Sequence, residues 1–267
     1  MIRYDTIEII RTGKVGYVLL NRPEVHNAMN AAMIEELSEA LIYLTAQKET
    51  RVIVIRGNGK SFSSGADLNY MKEQAAMSLK QNHEDSLRLA GMFYEIYNCS
   101  LPVITVSHGT IAGGANGIVA ASDYALTIQD AVFRFSEVHL GLVPATIAPY
   151  VLDRVGRSVS LELMLSGRSF SGAAAETYGL VNKAVKSVDL EKELDRVILS
   201  FLQGAPEAIK NTKKLLIALN ALNMDQNVIP EMTASVIADA RASKEGVEGI
   251  SAFFEKRKPK WNDEGIQ

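Results

Sequence analysis

Apolar and β-branched residues cluster in two runs around Thr12-Gly13 in YDTIEIIRTGKVGYVLLN, a pattern that predicts two strands joined by a turn. Behind them, AMNAAMIEELSEALIYLTAQ sets Met33, Leu37, Leu41 and Leu44 at helical spacing. RVIVIRG (51–57) reads as a short buried strand ending at Gly57-Asn58-Gly59, and the polar stretch over roughly 73–98 reads as helix. LPVITVSHG is a further buried strand. It opens into GTIAGGANGIVAASD, a run of small residues in which a helix starts, followed by the strand-like YALTIQ and AVFRFSE. The unit strand–strand–helix therefore recurs. From residue 158 the pattern is mostly helical, interrupted by the turn SGRSFSG and the strand-like YGLVNKAV. These patterns predict an α/β fold, with a core over residues 1–195 and a helical C-terminal region over 196–267.

Composition narrows the function classes. At 267 residues, 47% of them hydrophobic, the chain can bury a large core. A formal net charge of −3 gives no reason to expect a nucleic-acid partner. No apolar run reaches membrane-spanning length, so no membrane partner is expected either. The single cysteine, Cys99, excludes an internal disulfide and suits a reducing compartment. The N-terminus MIRYDTIEIIRTGKV is too charged for a signal peptide, and we expect a cytoplasmic protein. One local basic cluster, EKRKPKW (255–261), fits either a solvated tail or an anion-binding segment.

Several catalytic motifs fail on spacing. GNGKS lacks the first glycine of a phosphate loop, because position 54 is Val54. No serine among Ser61, Ser63 and Ser64 sits in a G-x-S-x-G elbow. His26, His83, His108 and His139 form no metal-ligand pair. Two features remain: SFSSGADL (61–68) and GTIAGGANG, both small-residue runs behind strands. Glycine costs backbone entropy and is used where something must approach the main chain closely. Both runs fit a pair of bare N–H donors converging on a carbonyl oxygen, and both equally fit close strand–helix packing.

Five ordered blocks then resemble the enoyl-CoA hydratase/isomerase (crotonase) family: NRPEVHNAMN (21–30), GKSFSSGADL (59–68), GTIAGGANGIVAASDYAL (109–126), FSEVHLGLVPA (135–145) and FFEKRKPKW (253–261). Within it, SEVHLGLVPATIAPYV is most similar to the methylglutaconyl-CoA hydratase-like branch, whose substrate is a branched acyl chain from amino-acid breakdown. The resemblance implies a spiral of β-β-α units with a helical C-terminal region that forms a homotrimer or homohexamer. It implies that the N–H groups of Ala66 and Gly114 polarise a thioester carbonyl and that Glu137 moves protons. It also implies coenzyme A contacts from Ser64, Ala66, Asp67 and Leu68, and from Lys258 and Trp261 toward a neighbouring subunit. Coenzyme A enters as part of the substrate thioester, and no nicotinamide, flavin or metal cofactor is implied.

The family's hydratases place two glutamates across the double bond, and Gly117 stands where the second is expected, with Asn116 beside it. Three readings follow from that departure: a one-glutamate enoyl-CoA hydratase, an enoyl-CoA isomerase, and a non-catalytic acyl-CoA-binding protein. The acyl pocket is expected to include mobile segments such as NYMKEQAAMS.

Overall fold

A computed structural model describes residues 4–221 and 228–263. The two N-terminal runs form an antiparallel hairpin, β1 (Ile7–Thr12) and β2 (Val15–Leu20). A loop of residues 21–30 leads to α1 (Ala31–Thr45), whose first turn is capped by the Asn30 side chain accepting from the Met33 N–H at 3.0 Å. β3 (Val52–Gly57) follows and pairs parallel to β2.

The polar stretch read as one helix is two, α2 (Leu68–Ala76) and α3 (Leu79–Asn98). The break has a local cause: Ser78 and Gln81 form a reciprocal capping box that starts α3 afresh. β4 (Val103–Ser107), β5 (Thr110–Ala112) and α4 (Ala115–Ala121) make the next strand–strand–helix unit. β6 (Tyr124–Ile128), β7 (Val132–Arg134), a 3-10 turn over Glu137–Leu140, and α5 (Ala148–Ser166) make another. α5 is broken at Gly156, whose φ of +69° is outside the helical region.

The segment read as a turn, SGRSFSG, contains a short strand, β8 (Ser169–Ser171), before α6 (Gly172–Tyr178). Phe170 explains the difference: it is buried and stacks on Phe133 and Phe135, so the turn is drawn into the sheet edge. β9 (Lys183–Val185) and α7 (Leu190–Leu202) complete the core.

The strands form two sheets. The larger has the order β1-β2-β3-β4-β6-β9, parallel from β2 onward. The smaller has the order β5-β7-β8, and an isolated parallel bridge from Ser63 to Ile111 extends it. Three successive turns, starting at β3, β4 and β6, each give one strand to the large sheet and the next extended segment to the small one. Alternation along the central strands sends residues to two cores. Ile53 and Ile55 join the main cluster with α1 and α4, whereas Val52 and Val54 meet α7 on the opposite face.

That packing moves the expected boundary. A division at 195/196 falls inside α7, and Leu194, Val197, Ile198 and Leu202 all pack on the large sheet. The core therefore runs through α7, and the helical region begins at α8 (Pro206–Ala221). It continues through α9 (Ile229–Ala242), α10 (Lys244–Phe254) and α11 (Lys260–Asp263). The Glu245 carboxylate of α10 accepts from the N–H groups of Glu207 and Ala208, which ties α10 to the start of α8. Lys213 of α8 reaches Asp123 at 2.6 Å and holds the region to the core. Among the described residues, no helix is long and apolar enough to cross a membrane.

Candidate active site

The three residues singled out from sequence lie at the same place in three successive spiral units. Ser63 bridges Ile111, and Ile111 pairs with Phe133. Ala66 lies three residues past the first, Gly114 three past the second and Glu137 four past the third. All three leave the small sheet on one side and line a single cavity of about 350 Å³. The neighbouring atoms are close: a Cβ built on Gly113 would lie 3.6 Å from the Glu137 side-chain Oε1 and 3.9 Å from the Gly65 Cα.

The two donor loops are built alike. Gly65 (φ +94°) precedes Ala66, and Gly113 (φ +52°) precedes Gly114. Glycine adopts such left-handed conformations at the least cost, and in each loop it turns the chain just before the N–H that follows. The bridge between Met29 and Ala66 uses the Gly65 carbonyl and the Asp67 N–H, at 2.7 and 2.9 Å. The Ala66 N–H is left on the other side. Among the described residues, neither the Ala66 nor the Gly114 N–H donates to the protein. Two unspent donors beside a cavity are the arrangement that stabilises a developing oxyanion.

Glu137 opens the 3-10 turn, and its Oε2 is buried without a hydrogen-bond partner among the described residues. Burial pushes its carboxyl above the usual carboxylate range, so the site raises the affinity of Glu137 for a proton. The turn is braced from behind. His139 Nδ1 lies 2.7 Å from Arg134 Nη2, and its Nε2 lies 3.0 Å from the Ser166 carbonyl, while Arg134 Nε donates to the Gly167 carbonyl at 2.9 Å. A guanidinium only donates and a carbonyl only accepts, so this geometry fits a neutral imidazole protonated on Nε2.

Position 117 differs from expectation. A Cβ on Gly117 would meet Ile147 Cγ2 at 2.4 Å and Phe93 Cε1 at 2.6 Å. The place where a second glutamate would begin is thus filled by side chains from α3 and from the segment leading into α5. Asn116 is equally occupied. Its Nδ2 donates to the Gly113 and Arg134 carbonyls, and the residue does not line the cavity.

Of the expected coenzyme A contacts, Ser64, Ala66 and Leu68 line the cavity. The Asp67 carboxylate turns inward: it caps α2 through the Asn69 and Tyr70 N–H groups and pairs with Arg22 at 2.9 Å. Lys258 is exposed, and Trp261 packs within its own chain, donating its indole N–H to the Gln203 carbonyl at 3.1 Å. Neither lines the cavity with Glu137.

The α2 wall of the cavity, expected to be mobile, carries a buried network that the sequence pattern does not announce. Tyr70 and Gln74 line the cavity and donate to Asp85, which is 1% exposed, at 2.6 and 2.7 Å. Arg88 adds a third bond at 2.9 Å. Burial and then the Asp85 hydrogen bond push the Tyr70 hydroxyl well above its ordinary range, so it remains a donor. Asp85 falls in the polar helical stretch, and nothing in its one-dimensional context distinguishes it from its exposed neighbours.

A spiral of paired strands and helices thus brings two undonated main-chain N–H groups and one buried carboxylate to a common cavity. The enoyl-CoA hydratase/isomerase family model matches residues 11–264, and the chain belongs to that family, with its crotonase fold. An enoyl-CoA hydratase structure from Shewanella pealeana superimposes with a TM-score of 0.93 at 34% identity, covering 97% of each chain. A peroxisomal Delta(3,5)-Delta(2,4)-dienoyl-CoA isomerase of Arabidopsis thaliana is 31% identical over 97% of each chain. The human mitochondrial enoyl-CoA hydratase domain-containing protein 3 is 27% identical, covering 93% of this chain and 81% of its own.

Proposed function

We propose that the protein is an enoyl-CoA hydratase that works with one carboxylate. The observation behind this reading is that two unspent N–H donors and the unpartnered Glu137 Oε2 share one cavity. The thioester oxygen sits between the Ala66 and Gly114 N–H groups, where one such donor is worth roughly 3–4 kcal/mol in the transition state. Charge then develops as an enolate. Glu137 takes a proton from the water that adds to the β-carbon and delivers a proton to the α-carbon, so the carboxyl group ends as it began. The raised proton affinity of Glu137 suits this cycle. The hydratase names of the Shewanella and human relatives support hydration.

Isomerisation is the second reading, and position 117 favours it. With Phe93 and Ile147 closing that position, one base is available, and one base suffices to take a proton from one carbon and return it to another.

Met29, Ile34, Leu89 and Ile147 make the acyl wall apolar, and among the described residues no Lys or Arg lines the cavity. We therefore read the acyl group as apolar, which weighs against an acidic methylglutaconyl-type substrate. Assembly into trimers belongs to the same proposal: Leu216, Phe253 and Phe254 on α8 and α10 are 60%, 79% and 77% exposed, an apolar surface fit to be covered by a second copy.

The deciding experiment is a panel of 2-enoyl-CoA and 3-enoyl-CoA thioesters, followed separately for water addition and for double-bond shift. Water addition to a 2-enoyl-CoA supports hydratase action. Double-bond shift alone transfers the assignment to isomerase, and binding without turnover of any member contradicts both.

A further inference from the structure

We propose that Asn116 is a positioning residue that aims the Gly114 donor and fixes it against the segment carrying Glu137. The proposal rests on the reading of Gly114 as an oxyanion donor given above. A peptide group is planar and trans, so the Gly113 carbonyl and the Gly114 N–H are fixed in opposite directions on one plate. Whatever holds the carbonyl therefore sets the direction of the N–H. Asn116 holds it twice, through its main-chain N–H at 3.0 Å and its Nδ2 at 3.1 Å.

The same Nδ2 also donates to the Arg134 carbonyl at 2.9 Å, and the Gly113 N–H donates to that carbonyl at 3.0 Å. Arg134 ends β7, three residues before Glu137. One side-chain amide thus clamps the second donor loop to the strand end from which the catalytic carboxylate emerges.

The orientation of the amide follows from its surroundings. Both partners are carbonyl oxygens, which only accept, so the NH₂ group must face them. Asn116 is fully buried, and its Oδ1 is left without a partner among the described residues. A buried unpaired amide oxygen opposes folding, and an apolar side chain of similar size would remove that cost. A residue kept only for packing has no use for it; a residue whose NH₂ must hold two carbonyls does.

The test compares Asn116→Leu, which deletes the donors without adding an acceptor, with Asn116→Asp, which keeps the shape and places oxygens against both carbonyls. The probe is acetoacetyl-CoA, whose enolate absorbance on binding reports stabilisation of negative charge at the thioester oxygen, whatever the natural acyl chain. Turnover is followed with the most active member of the enoyl-CoA panel. We expect both variants to lose about 10-fold to 100-fold in kcat, with KM changed less than about 3-fold, and to lose most of the bound enolate signal. Asn116→Leu should keep or raise the midpoint of thermal unfolding.

Wild-type kcat and enolate signal in either folded variant overturn the proposal. A parallel rise in KM and fall in stability in both variants also overturns it, since that is the mark of a merely structural role. If wild-type protein binds acetoacetyl-CoA without enolising it, the donor reading of Gly114 fails first, and the role of Asn116 fails with it.

Discussion

The two loops proposed as donors each bring an undonated N–H to the cavity, but on different supports. At the first, the Gly65 carbonyl accepts from the Met29 N–H at 2.7 Å, so the Ala66 N–H is aimed by main chain alone. At the second, the Gly113 carbonyl is gripped partly by a side chain, the Asn116 amide. The anchors behind them differ too. The first loop is pinned by a carboxylate, Asp67, through an ion pair and a helix cap, and the second by a neutral amide. A main-chain support resists substitution, and a charged anchor responds to pH. Equivalent donors in a repeated fold therefore need not have equivalent weaknesses.

The largest effect sets the frame for both loops. Glu137→Gln leaves the donors in place and removes the proton carrier, so kcat should fall by about 10²–10⁴ with KM little changed. Steady-state kinetics check this, and near-wild-type turnover would remove Glu137 from the site.

The next test breaks the first loop where side-chain changes cannot reach it. Ala66→Pro deletes the donor N–H and should lower turnover by about 10²–10³. Circular dichroism must show a folded protein for the loss to count, and a folded, fully active variant would return Ala66 to a packing role.

Gly117 probes the helix behind the second loop. Gly117→Glu forces a side chain into Ile147 and Phe93 and should destabilise the protein by at least about 1–3 kcal/mol, read as a lowered unfolding midpoint. A stable variant with faster water addition would show that the position opens onto the substrate after all.

The smallest effect separates the two anchors. Burial alone would raise the Asp67 carboxyl, but bonds from the Asn69 N–H, Arg22 and the Tyr70 N–H outweigh it and hold it below its ordinary value. A carboxyl lowered in the folded state stabilises above its unfolded value, near about 3.9, and that contribution disappears as pH falls through the folded value. Asp67→Ala should therefore cost about 1–2 kcal/mol near neutral pH, with the gap to wild type closing below about pH 4. Denaturant unfolding at several pH values measures it. A gap that persists into acid would assign the loss to packing rather than to the carboxylate.

What was legible in the sequence follows from how local each cause is. β3 and β4 are mostly apolar and β-branched and read as buried strands without help from the rest of the chain. The small-residue runs marked the two loops that reach the cavity, and only the family resemblance offered them as donors where spacing left packing equally open. The capping box at Ser78 was written in the sequence as Ser-x-x-Gln, but the helix was read through it. Other features depend on residues far apart in the chain. β8 forms because Phe170 meets Phe133, and Gly117 is closed because Phe93 and Ile147 arrive from other elements. Asp67 resembled a ligand contact in its motif, yet its partner is Arg22, 45 residues earlier.

The central claim is that two backbone donors and one carboxylate act together on the carbon next to a thioester. Exchange of the α-protons of bound acyl-CoA thioesters with deuterated water, followed by NMR, tests it whatever acyl chain the enzyme prefers. Wild-type protein should exchange the α-protons, with exchange lost on Glu137→Gln and strongly reduced on Ala66→Pro. Undiminished exchange in Glu137→Gln, or none by wild type across thioesters that it binds, would contradict it.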